Sequence, residues 1–197
     1  MKNNPRGTIF FVDISGYSRF VKETENEVGA MIIPELLNAI IKAQKLSFKI
    51  SEIEGDAILF YHFGPAYPIP VILSQFEAML DAFNQEIEIL KADSPQVVNL
   101  TIKLVVHYGI IGRFSVSGFY KLYGQTIVEA HRLLKNHVPS KSYALITEEY
   151  FQEHASQHLN PLQKGSQRCE LYDVGELCYT YYAYRDEPVQ FQLKAIA

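Results

Sequence analysis

No tryptophan occurs in the 197 residues, and cysteine and methionine are scarce, with two and three copies. The two cysteines, Cys169 and Cys178, and six scattered histidines form no spacing suited to a zinc site. No apolar stretch nears the roughly 18 residues that a membrane-spanning helix requires. The opening Met1 to Gly7 lacks the apolar core of a secretory leader. Basic residues are outnumbered, 18 Lys and Arg against 22 Asp and Glu, for a net charge of −4. That balance argues against a protein that tracks nucleic-acid phosphates, which presents a basic face. Together these absences point to a cytoplasmic protein with no membrane or nucleic-acid partner. In that compartment the cysteines stand as reduced thiols, read as two small buried side chains. Facing each other across a C-terminal hairpin is the alternative.

What is present suffices for one core. The chain is 48% hydrophobic, and its size predicts a single domain over 1–197 with its core at about 8–185. Thr8 to Val12 is apolar, β-branched and aromatic, a buried strand that ends in the turn signal Asp13-Ile14-Ser15-Gly16. Glu25 to Lys45 carries Val28, Ile32, Leu36, Leu37, Ile40 and Ile41 at helical spacing, with Pro34 expected to kink or divide it. Leu46 to Ser51 and Ala57 to Phe63 read as a hairpin closed through Glu54-Gly55. The proline-bearing stretch Phe63 to Pro70 reads as loop, Val71 to Lys91 as a second long helix, and Leu100 to Tyr108 as a central strand. Phe114 to Tyr120 reads as one further strand and Thr126 to Lys135 as a helix opened by Gly124. A short strand at Ala144 to Ile146 leads to Thr147 as an N-cap. Gln157 to Gln167 is polar loop, and Cys169 to Tyr172 with Leu177 to Tyr184 forms a closing hairpin. The last dozen residues read as an edge strand or a tail. This order predicts an α+β class, helices packed over a largely antiparallel sheet.

Three segments carry chemistry. In Phe11-Val12-Asp13-Ile14-Ser15-Gly16-Tyr17-Ser18 an acid ends a buried strand just before a helix starts. Such a carboxylate either caps the turn or holds a cation beside a phosphate on the helix N-terminus. In Glu52-Ile53-Glu54-Gly55-Asp56 a hairpin tip presents Asp56 before an apolar strand, either as a polar turn or as a second metal ligand. Two such acids brought together suit a pair of divalent ions about 3.5–4 Å apart, the clamp of phosphoryl chemistry. The third segment runs from Phe119 to Arg132. Arg132, two turns into its helix, either steadies charge on a phosphoryl group or pairs with Glu129 at the surface.

In this order and at these intervals the segments resemble the class III adenylyl and guanylyl cyclase domain. The first matches that family's Phe-x-Asp-Ile-x-Gly-(Phe/Tyr)-(Thr/Ser), and Gly55-Asp56 its Gly-Asp hairpin. His107-Tyr108-Gly109 matches its His-x-Gly, and Gly124 to Arg132 its Gly-x-x-(Val/Ile)-x-x-Ala-x-Arg helix. Ser51 to Tyr61 and Gly118 to Val138 resemble more closely still an uncharacterised bacterial family of stand-alone cyclase-homology proteins. The resemblance implies a ferredoxin-like nucleotide cyclase fold acting as a homodimer on a purine nucleoside triphosphate. It implies two Mg²⁺ or Mn²⁺ ions on Asp13 and Asp56 with help from the Ile14 carbonyl. It assigns triphosphate to the amides of Gly16, Tyr17 and Ser18, and the transition-state contact to Arg132.

Two departures stand against full activity. Val128 occupies the position of the family's catalytic asparagine, and no lysine falls in Gly175 to Thr180, where a triphosphate lysine is expected. Losing one polar positioning contact costs on the order of a hundredfold in rate or more. At the base-reading positions stand Glu52 and Lys121. A glutamate can accept from guanine N1–H and N2–H₂ and a lysine can donate to O6; alternatively the two pair and close the base pocket. Cyclisation of GTP or ATP, a degenerate nucleotide or metal sensor, and a purely structural role all remain open at this level.

Overall fold

The structure is a computed structural model that describes residues 5–153 and 165–184. The α+β architecture expected from the element order is what it contains. The first strand, β1 (Arg6–Ser15), leads through α1 (Tyr17–Glu23) to α2 (Asn26–Lys42). The hairpin β2 (Lys49–Glu54) and β3 (Ala57–Phe63) precedes α3 (Ile69–Leu90), a short 3₁₀ turn and β4 (Thr101–Ile110). This β-α-β-β-α-β run is a ferredoxin-like unit. After it come β5 (Gly112–Val116), β6 (Phe119–Tyr123), α4 (Gln125–Leu133), β7 (Tyr143–Thr147), α5 (Glu148–Gln152), β8 (Ser166–Tyr172) and β9 (Gly175–Ala183).

Among the described residues seven strands share one sheet in the order β2-β3-β1-β4-β7-β9-β8, and only the β4–β7 pair is parallel. Alternation along β1 divides its apolar side chains between two cores. Phe10, Val12 and Ile14 face α2 and α3, where Ile32, Leu36, Ile40, Ile72, Phe76, Met79 and Phe83 are buried. Ile9 and Phe11 face α4, against Ile127, Ala130 and Leu133. Burial of each such side chain contributes about 1.5–3 kcal/mol, so the paired cores hold β1 from both sides. Gly109 permits the close approach of α4, since a Cβ there would lie 2.4 Å from Thr126 Oγ1.

Several expectations change at this level. Pro34 does not divide its helix: α2 runs unbroken across it for 17 residues. Its buried stripe of Ile32, Leu36, Leu37 and Ile40 outweighs one missing backbone bond. The single strand expected at Phe114 to Tyr120 is the two-stranded hairpin β5–β6, turned at Ser117 and Gly118, whose φ values are +49° and +85°. Thr147 precedes α5 without a side-chain cap; its hydroxyl instead bonds His107 Nδ1 at 2.8 Å.

The thiol reading is corrected outright. Cys169 and Cys178 are opposite partners in the β8–β9 register and are joined as a disulfide, Cα to Cα 4.0 Å. The alternative reading, in which the two face each other across the closing hairpin, is the one the register realises. The support that reduced, buried cysteines lent to a cytoplasmic location goes with the thiol reading. Among the described residues no helix is long and apolar enough to cross a membrane. The loop expected at 157–167 lies outside the described residues up to Lys164, and Ser166 and Gln167 belong to β8. The closing edge strand or tail lies outside them too.

On its inner face the β8–β9 hairpin is anchored by Glu170. That carboxylate accepts from Tyr179 and Tyr172 hydroxyls, the latter at 2.7 Å, and from the His137 amide at 3.0 Å. Burial pushes Glu170 up, but the bonds from Tyr179, Tyr172 and His137 prevail and bring it down to about 2 from an ordinary 4.5. A depressed carboxylate contributes stability that is complete above its unfolded value and is lost as pH falls towards its folded one. Glu170→Gln is therefore expected to lower stability at pH 7 by about 2 kcal/mol. The deficit should shrink as pH falls from 4.5 towards about 2, read from denaturant midpoints across that range.

Candidate functional site

Asp13 sits near the end of β1, opposite Ala57 of β3 on one side and Lys103 of β4 on the other. Its neighbours Val12 and Ile14 point into the α2/α3 core, so alternation sends Asp13 to the opposite face. Its carboxylate is only 16% exposed and takes the Lys103 ammonium at 2.9 Å. Lys103 also donates to the Leu134 carbonyl at the end of α4 at 3.2 Å.

The β2–β3 turn brings Asp56 to the same place. Gly55, at φ +60°, lets the chain reverse, and the Asp56 carbonyl accepts the Ile14 amide at 3.2 Å. Burial, then the neighbouring Asp13 carboxylate, push Asp56 up to about 7. Two acids so close cannot both ionise freely with one ammonium beside them. The pair is short of positive charge at neutral pH, and an all-oxygen donor set of this kind suits a hard divalent cation.

Gly16, at φ +92°, turns the chain from β1 into α1, which begins at Tyr17 and Ser18 with no side-chain cap and no acid in its first turn. A Cβ at Gly16 would stand 2.9 Å from the Asn99 carbonyl, so the tight entry is reserved for glycine. The Ile14 amide thus ties Asp56 to the end of β1, two residues before this helix entry.

Arg132 goes elsewhere. Its guanidinium forms a two-pronged pair with Asp173 in the β8–β9 turn, at 2.7 and 2.8 Å. That hydrogen bonding raises Arg132 and lowers Asp173 from their ordinary values. Glu129, the expected surface partner of Arg132, instead accepts from His107 Nε2 at 2.9 Å and from Gln125 at 3.1 Å. Val128 lies one turn before Arg132 on the same helix face and is 41% exposed. Glu52 and Lys121 pair with each other across the space between β2 and β6, as the pocket-closing alternative anticipated. Among the described residues no hydrogen bond or ion pair links Arg132, Glu52 or Lys121 to Asp13 or Asp56.

Sequence reasoning passed over Lys103, Asp173 and the groove at the far end of β4. Lys103 had a readable signal: a lysine between Ile102 and Leu104 in an apolar strand needs a buried acid for a partner. Asp173 had none, because its turn approaches α4 only in the folded chain. The groove has a volume of about 590 Å³ and is lined by Arg6, His107, Tyr108, Gln125, Glu129 and Glu149 among others.

Asp56 supplies a test of the acid pair. Its raised value means that its contribution to stability is complete below 3.8 and is lost as pH rises through about 7. In metal-free buffer Asp56→Asn is expected to melt higher than the parent at pH 8 and to lose that advantage by pH 4. Calorimetric scans at the two pH values check it.

Comparison with known proteins agrees with the fold. The family profile described as "Protein of unknown function (DUF2652)" matches residues 33–143, more than half of the chain. The uncharacterized protein Rv2561/Rv2562 of Mycobacterium tuberculosis is 31% identical over 121 residues, which take in 58% of this chain and 56% of that protein. Among solved structures, the adenylyl cyclase CyaB of P. aeruginosa superposes with a TM-score of 0.57 at 18% identity over 92% of this chain and 95% of that one. The guanylate cyclase domain of RhGC from Catenaria anguillulae, solved with GTP, gives 0.57 at 16% identity over 94% and 100%. A bacterial light-regulated adenylyl cyclase gives 0.62 at 14% identity, over 89% of this chain and 51% of that one. The fold is that of the class III cyclase catalytic domain.

Proposed function

We propose that this chain, which belongs to the DUF2652 family, is a cyclase-fold domain that binds a divalent cation and a purine nucleoside triphosphate as a homodimer, with cyclisation weak or absent. The observation that carries the reading is the crowded Asp13–Asp56 pair, buried enough to hold a proton near neutrality. These two carboxylates, with the Ile14 carbonyl, would hold two Mg²⁺ or Mn²⁺ ions. When bound, such ions neutralise triphosphate charge and acidify the 3′-hydroxyl. The amides of Gly16 to Ser18 would take the phosphates at the start of α1. Lys103 offsets one carboxylate, and the proton on Asp56 must leave when a cation arrives.

Arg132 and Val128 share a face of α4 that is not joined to the acids within one chain, so a shared site draws them from a second copy. The β5–β6 hairpin supports dimer formation, since Phe119 and Tyr120 are 73% and 81% exposed on it. Glu52 and Lys121 would read guanine only by opening their own pair. Val128 has no polar atom with which to position the ribose. The retained Arg132 favours a second reading, residual cyclisation of GTP or ATP with release of pyrophosphate.

Purified protein with Mn²⁺ and GTP or ATP tests both readings, scoring bound nucleotide and cyclic product together. Binding that falls at least about tenfold in Asp13→Ala, with product at background, is the expected result. Val128→Asn is then expected to raise product formation about a hundredfold. Nucleotide binding indifferent to Asp13 and to metal would sink the proposal. Mn²⁺ affinity should also tighten about tenfold between pH 6 and pH 8, as the Asp56 proton is lost.

A further inference from the structure

The face of the β8–β9 hairpin that turns away from the core has its own donor set. Leu177 and Tyr179 of β9 are buried at 4% and 2%, so Glu176 and Cys178, two apart on that strand, point to the other side together. Cys169 is the direct cross-strand partner of Cys178, and among the described residues β8 is the edge of the sheet. Register therefore places two sulfurs and a carboxylate on one surface patch; their donor atoms all lie within 4.8 Å of one another. Cys169 and Glu176 are exposed and Cys178 is partly so, which leaves the patch open to a solute.

We propose that reduction of the Cys169–Cys178 disulfide turns this patch into a binding site for a thiophilic divalent cation of the Zn²⁺ class. A dithiol reductant would deliver two electrons and two protons to the disulfide, breaking its S–S bond to leave two thiols while the reductant closes to its own disulfide. Binding of Zn²⁺ then releases both thiol protons and forms two zinc–thiolate bonds, with Glu176 as third ligand and water as fourth. In a tetrahedral site with Zn–S of about 2.3 Å the sulfurs stand about 3.8 Å apart, which side-chain rotation reaches without moving directly opposed strands. A disulfide oxidant that accepts two electrons, and is itself reduced to a dithiol, rejoins the sulfurs and removes both thiolate ligands, so the same two residues then exclude the cation. The disulfide and the metal are alternative occupants of one patch, selected by the redox state of the compartment. This site owes nothing to the Asp13–Asp56 reading and stands or falls apart from it.

The experiment uses the full chain carrying Asp13→Asn and Asp56→Asn, so that no cation is counted at the other acids. Zn²⁺ is titrated calorimetrically into oxidised protein and into protein reduced anaerobically with a phosphine that is then removed. Cd²⁺ titration in parallel reads the thiolate-to-metal absorbance. One equivalent bound after reduction, none before, and a Cd²⁺–thiolate band are expected. Cys169→Ser and Cys178→Ser should each weaken binding at least about tenfold, and Glu176→Gln by several-fold. Reduced protein that binds no better than oxidised protein, or no better than Cys169→Ser, overturns the site. Glu176→Gln binding as tightly as its parent overturns the three-donor assignment. The oxidised arm needs no substitution in the hairpin, so a misfolded variant cannot decide the outcome.

Discussion

The pairing of β1 between β3 and β4 is the constraint on which the rest depends. Asp13 takes its position from that ladder, with Ala57 on one side and Lys103 on the other. Since side chains alternate along a strand, a slip of one residue would send Asp13 into the α2/α3 core and Val12 out of it. Burial of Ile9, Phe10, Phe11 and Val12 at 2% exposure or less makes such a slip expensive. The candidate site is thus held by hydrophobic register rather than by its own polar contacts.

That rigidity makes the electrostatics unfavourable in a useful way. Two carboxylates are fixed side by side because the backbone puts them there, and Lys103 balances only one. Asp56 responds by holding its proton up to about pH 7. A divalent cation would relieve the same shortage of charge. The charged site residues away from this pair have protein partners, Arg132 in Asp173 and Lys121 in Glu52. Each pair would have to open before its members could meet a nucleotide.

The β8–β9 hairpin has more consequences than its place at the end of the described sheet suggests. Its inner face anchors the chain after α4 through Glu170 and His137, its turn captures Arg132, and its outer face carries the disulfide. Ordinary strand alternation separates these roles, since odd and even positions answer to different surroundings.

By itself the sequence determined the element types, the two apolar helix stripes, and the motifs at Asp13, Asp56 and Gly124 to Arg132. Each depends on residues close in the chain, whose periodicity and turn chemistry read directly. Helix limits shifted by a few residues, and the β5–β6 hairpin was hidden because Ser117-Gly118 falls inside a short run without alternation. Only the tertiary structure decided who meets whom: Lys103 with Asp13, Arg132 with Asp173 rather than Glu129, His107 with Glu129 and Thr147, and Cys169 with Cys178. Those partners lie on different elements, and their encounter follows from sheet order and register, which local periodicity does not encode.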